Sequence, residues 1–145
     1  MRVLGKCLLV LLVSTPWAGG LSALTFDTPL DLGGETFSVA VAKDEESLRK
    51  GLMGVTRLAP HQGMLFLFDK ERVATFWMKD TPLALDLAFF TKDGRIVMMG
   101  ELTPLARTSV SSPTKVVGAL ELPRGTFARI GATLGSKITS PALLS

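Results

Sequence analysis

Between Trp77 and Glu121 the chain sets one indole, one ammonium and two carboxylates among otherwise apolar residues. "ATFWMKDTPLALDLAFF" carries Trp77, Lys79 and Asp86, and "VVGALEL" carries Glu121. Two kinds of chemistry suit these types. Trp77 can stack on a polar ligand such as a saccharide while Lys79, Asp86 and Glu121 hydrogen-bond its hydroxyls. Alternatively, Asp86 and Glu121 can act as the acid and base of a hydrolase, as paired carboxylates do in glycoside hydrolysis. A structural reading competes with both. Taking a charge out of water costs several kcal/mol, so an inward Asp86 needs Lys79 or a nearby arginine beside it. Glu121 read structurally is a solvated charge at a strand end.

The elements that must position these groups are short. "FDTPLDLGGETFSVAVA" reads as a strand, a Gly33-Gly34 turn and a second strand with alternating apolar residues. Asp44 is the expected N-cap of a helix running to about Met53, with Leu48 and Leu52 on its buried side. "GMLFLF" reads as a strand buried on both faces, and "ATFWM" as another. If "KDTP" is a four-residue hairpin loop, Trp77 shares a sheet face with Ala84 and, one diagonal on, Asp86. Lys79 leans to the same side, and Ala84 and Ala88 leave room beside the ring. "TKDG" is a hairpin turn between "LALDLAFF" and "RIVMM". "KVVGALEL" is a later strand, "TFARIGATL" a short helical segment capped by Thr126, and "KIT" a closing strand. Many short strands, tight turns and about two short helices indicate a mainly β, α+β fold: a compact antiparallel β barrel or sandwich.

Composition bounds the function. Arg2 and Lys6 precede the apolar "CLLVLLV" and the small residues of "AGGLSA", the order of a secretory signal peptide. Cleavage after Gly20 or after Ala23 fits, and the second divides the chain into a signal, 1–23, and a single domain, 24–145. The expected location is periplasmic or secreted, with no membrane span after cleavage, since the run is far shorter than the ~20 apolar residues that cross a bilayer. Cys7 lies before the apolar run, on the wrong side for lipid attachment. The full chain carries 16 Lys and Arg against 13 Asp and Glu; losing Arg2 and Lys6 leaves 14 against 13, a net +1. That balance argues against nucleic acid as a partner. Cys7 is the only cysteine, so residues 24–145 contain no thiol for disulfides, thiolate catalysis or metal binding. His61 with Met53, Met64, Met78, Met98 and Met99 supplies ligand types suited to copper. Methionines also fill cores, however, and no metal or cofactor is expected. No serine sits in a nucleophile elbow and no glycine loop follows a strand to cradle phosphate.

Several blocks recur together: Gly51-Leu52-Met53, Gly63-Met64-Leu65-Phe66, Phe76-Trp77-Met78-Lys79-Asp80-Thr81, Leu85-Asp86, Asp93-Gly94-Arg95-Ile96 and Leu120-Glu121-Leu122 before Gly125. In order and spacing they resemble the bacterial and archaeal family called domain of unknown function 192, over about residues 36–138. The resemblance implies that Trp77, Met78, Lys79, Thr81, Asp86 and Glu121 are family features, and implies no activity. The family pattern has arginines where this chain has Leu48 and Val55, and Gly-Asp where it has Gly135-Ser136. The expected function is non-catalytic binding of a polar ligand such as a saccharide, through Trp77, Lys79, Asp86 and Glu121. The alternatives are the Asp86–Glu121 hydrolase and an envelope module that binds a protein partner.

Overall fold

The computed structural model describes residues 23–144. Apart from Ala23, the expected signal peptide lies outside the described residues. Strands β1 (Thr28–Leu32) and β2 (Glu35–Ala42) form the expected hairpin. Gly33 and Gly34 turn it at φ 61° and 80°, a pair of left-handed conformations that matches the twist of the strands. Asp44 caps helix α1 (Glu45–Lys50) as expected, its carboxylate accepting from the Ser47 N–H at 2.9 Å. The helix stops at Gly51 instead of reaching Met53.

Strand β3 (Gln62–Arg72) then runs parallel to β2, with Val39 opposite Gly63. β4 (Thr75–Phe76) is followed by β5 (Leu85–Phe90), β6 (Ile96–Leu102), β7 (Val110–Ser111) and β8 (Val116–Pro123). The "TKDG" turn joins β5 and β6 as an antiparallel pair. Helix α2 (Thr126–Ile130) and a 3₁₀ turn (Pro141–Leu143) complete the described residues.

The main sheet has the order β1-β2-β3-β8-β5-β6, and β4 and β7 form a separate two-stranded ribbon. The fold is mostly β, sandwich-like and not closed into a barrel. The parallel β2–β3 pair also departs from the antiparallel expectation. The nineteen-residue crossover holding α1 is what permits it, since parallel neighbours cannot be joined by a tight turn. "KIT" forms no strand; Thr139 and Lys137 make single bridges to Asp31 and Arg95 at the two edges of the sheet. Backbone groups there gain partners without a further strand.

Each face of the sheet has its own core. One packs Leu30, Phe37, Leu65, Phe90, Leu120 and Phe127; the other packs Leu52, Met64, Phe66, Met78, Leu87 and Phe89. β5 is buried throughout because its alternating residues feed both: Leu85, Leu87 and Phe89 one way, Ala88 and Phe90 the other.

Candidate functional site

The sheet register decides where the two carboxylates go. On β8, Glu121 lies opposite Leu87 of β5 and Met64 of β3, so its side chain joins the face of the second core. Asp86 lies opposite Leu122, on the first core's face. Adjacent residues of a strand point to opposite sides, so the sheet itself separates them. Asp86 and Glu121 therefore do not form an acid and base pair.

Asp86 is 4% exposed, and its Oδ2 accepts from the Phe127 N–H at 2.9 Å. This bond substitutes for a missing cap. Helix α2 begins after Gly125, which has no side chain to offer, and Thr126 turns its hydroxyl back to the Pro123 carbonyl. Thr126 is thus not the N-cap that the sequence suggests. Among the described residues the partner of Asp86 is neither Lys79 nor an arginine but a buried backbone N–H.

Glu121 is also 4% exposed, but no hydrogen bond or charge acts on its carboxyl among the described residues. Burial alone pushes its pKa up to about 8, so the group is protonated at neutral pH. It is not the solvated strand-end charge that the sequence suggests. It opens on a cavity of about 390 Å³, within the range of small-molecule sites. The walls are Leu48 to Met53 after and within α1, Phe66, Phe68 and Arg72 of β3, residues 73–78 and Thr81. Gly51 shapes one wall: its φ is 48°, and a Cβ there would come within 3.3 Å of the Phe66 ring. On the opposite wall Phe76 stands edge-on to Phe66, centroids 4.8 Å apart.

Trp77 stands at the mouth of this cavity and is 52% exposed. It does not share a face with Asp86. β4 pairs with β7 rather than with β5, and "KDTP" is not a hairpin loop. Instead Gly54 N–H donates to the Asp80 carbonyl at 2.8 Å and Leu105 N–H to the Thr81 carbonyl at 3.0 Å. These bonds hold residues 79–81 between two other loops, with Asp80 at a φ of 53°. Lys79 lies behind the indole, its Nζ 5.4 Å from the ring centroid, and lines a neighbouring groove with Leu105 and Arg107. Of the four expected site residues the fold thus brings Trp77 and Glu121 to one cavity, sets Lys79 behind Trp77 and removes Asp86 to the other face.

Arg72 is a cavity residue that was not among those singled out from the sequence. Its guanidinium sits 4.1 Å from the Phe68 centroid. Arg49 also lines the cavity but is paired with Glu45 at 3.5 Å. His61 lies elsewhere, 3.4 Å from the Glu35 carboxylate and stacked near Phe37 of the first core, while Met64 and Met78 belong to the second. His61 is thus apart from Met64, Met78 and Met98, which lie in or against the second core, and among the described residues no group of three or more His, Cys, Asp or Glu is set for a metal.

A family model described as uncharacterised ACR, domain of unknown function 192, matches residues 28–140. The chain belongs to the domain of unknown function 192 family. Two solved structures share its fold. One, from Sinorhizobium meliloti 1021 and described as a supposed transcription regulator, is 31% identical with a TM-score of 0.77, over 83% of this chain and 98% of that one. The other, a protein of unknown function from Novosphingobium aromaticivorans DSM 12444, is 30% identical with a TM-score of 0.73, over 77% and 83%. No curated protein matches the chain. The domain of unknown function 192 resemblance places an arginine at position 48; here Leu48 lines the cavity, and Arg49, Lys50 and Arg72 supply the cations.

Proposed function

We propose that the protein is an exported domain that binds a polar ligand, a saccharide above all, in the cavity over Glu121 and does not convert it. The observation that carries this reading is the meeting of Trp77 and Glu121 at one cavity. A half-exposed indole offers a stacking face, and a buried, unpartnered carboxyl offers a hydroxyl partner out of water. Hydrolysis of a glycoside takes two carboxyls flanking one bond, and Asp86 is behind the sheet. The basic and apolar N-terminal run supports export to the periplasm or beyond. The name of the Sinorhizobium relative would point to transcription, but a net charge near +1 after signal removal favours a small ligand over nucleic acid.

The test is a thermal-unfolding screen of residues 24–145 against monosaccharides and cell-wall fragments. A ligand at a hundred times its Kd adds about 2.7 kcal/mol of stability, a rise on the order of 10 °C. A rise that Trp77→Ala abolishes supports the reading; no rise with any of them sinks it. One observation favours a protein partner instead: Val73 and Trp77 at this cavity and Leu105 in the neighbouring groove are each more than half exposed. A cleft empty of small ligands but a concentration-dependent association would then be the result.

A further inference from the structure

The cavity is electrically lopsided. At its floor one carboxyl, Glu121, has no donor beside it among the described residues. At its rim stands a guanidinium, that of Arg72, whose face lies on the Phe68 ring and which makes no ion pair or hydrogen bond among the described residues. Arg49 is paired with Glu45, and Lys79 and Asp80 face the neighbouring groove, so Lys50 and Arg72 remain as rim cations, and of these only Arg72 carries a planar, two-pronged edge for an anion. Lys50 of the helix end also borders the cavity; Leu87 of β5 and Met64 of β3 flank Glu121 across the sheet, and the buried Thr81 is a polar residue of the cavity wall.

The register gives the scale. Met64 is opposite Glu121, and Phe68, beneath the guanidinium, is four residues further along β3, a strand distance of about 13 Å. Side chains on one face of a sheet project the same way, so the carboxyl and the guanidinium are separated by a similar span, on the order of 10 Å. A single sugar ring bearing two charged groups, each extended by a hydrogen bond to its partner, spans that gap.

We propose that the cavity selects saccharides bearing a free amine and an anionic group on one ring, with the amine seated on Glu121 and the anion at Arg72. This rests on the saccharide reading above and names the class. An ammonium is the partner that best offsets a buried carboxylate, and a guanidinium edge is shaped to hold a carboxylate or phosphate. Seating the amine requires the carboxylate form of Glu121. That carboxyl is protonated in the free protein, so complex formation passes its proton to the buffer while the ligand keeps its ammonium. Neutral sugars leave the proton in place.

Titration calorimetry at pH 6.5, in two buffers of different ionisation enthalpy, reads that proton directly. The probes are muramic acid, glucosamine, N-acetylmuramic acid and glucose, against residues 24–145. Muramic acid should bind tightest and release about one proton per ligand. Blocking the amine, as in N-acetylmuramic acid, should weaken binding at least tenfold and abolish the release. Glu121→Gln should remove the release with the fold intact by its unfolding curve, and Arg72→Gln should weaken muramic acid but not glucosamine. Glucose or N-acetylmuramic acid binding as tightly as muramic acid, without proton release, would overturn this inference and leave the saccharide reading standing. Binding of none of the four would overturn this inference and count against that reading too.

Discussion

The two faces of the six-stranded sheet treat the same functional group in opposite ways. Asp86 and Glu121 lie on neighbouring strands, one residue out of register, and are equally buried. On one face the Phe127 N–H meets Asp86, and helix α2 begins on it. On the other face nothing meets Glu121, and a cavity stands where a partner would be. Burial alone therefore does not mark a functional carboxyl. What marks Glu121 is burial without a partner, beside space large enough for one.

The largest effect that would sharpen this contrast is in the pH dependence of stability. The folded pKa of Glu121, about 8, is above its unfolded value of about 4.5, so between them the folded state holds a proton that the unfolded state has lost. Stability from this group is complete below about pH 4.5 and falls as pH rises toward 8, by up to about 1.4 kcal/mol per pH unit. Urea unfolding from pH 5 to 8 should show the decline, and Glu121→Gln should flatten it. The half-buried Glu35 and the exposed Asp44 and Asp93, whose pKa values are lowered, change stability only at more acidic pH. A wild-type profile as flat as that of the variant would mean that Glu121 has a partner after all.

Next in size is Asp86→Ala, which leaves the Phe127 N–H buried without an acceptor and should cost about 2–3 kcal/mol in chemical denaturation. Asp86→Asn retains an acceptor and should recover most of that. Neither should alter ligand affinity, and a loss of affinity at preserved stability would break the division between the faces. Trp77→Ala should do the reverse. Half exposed, the ring contributes about 0.5 kcal/mol or less to stability, while its loss should weaken saccharide binding roughly tenfold. Smallest is Lys79→Ala, which removes a cation from the far side of the indole; a melting curve should move by an amount equivalent to about 0.5 kcal/mol or less.

The sequence was readable where structure is local. The β1–β2 and β5–β6 turns are written in Gly33-Gly34 and Asp93-Gly94, and the α1 cap in Asp44. The alternation of β5 correctly divided Leu87 and Phe89 from Asp86 and Phe90. It failed where pairing is remote. "ATFWM" followed by "LALDLAFF" has the pattern of a hairpin, yet Thr75 and Phe76 pair with Ser111 and Val110, more than thirty residues away. Nothing in the pattern of either strand announces the third loop that pins Asp80. Glu121 looked like a strand-end charge because "VVGALEL" ends near it, but β8 continues through Pro123 between two neighbours. Trp77 and Glu121 were both named from sequence; that they meet, and that Asp86 does not join them, follows from strand order.

The parallel β2–β3 pair has a consequence for the order of assembly. Its crossover carries α1 and Leu52, and β3 must then wait for β8, whose Glu121 lies opposite Met64 across more than fifty residues. The cavity walls come from both of these distant closures, so no hairpin-sized intermediate contains them. Such non-local pairing favours slow folding, and the cavity is complete only once both closures are made. Until then Leu52, Phe66 and Met78 are open to water, and a ligand that fits the finished cavity has nothing to hold on the way there.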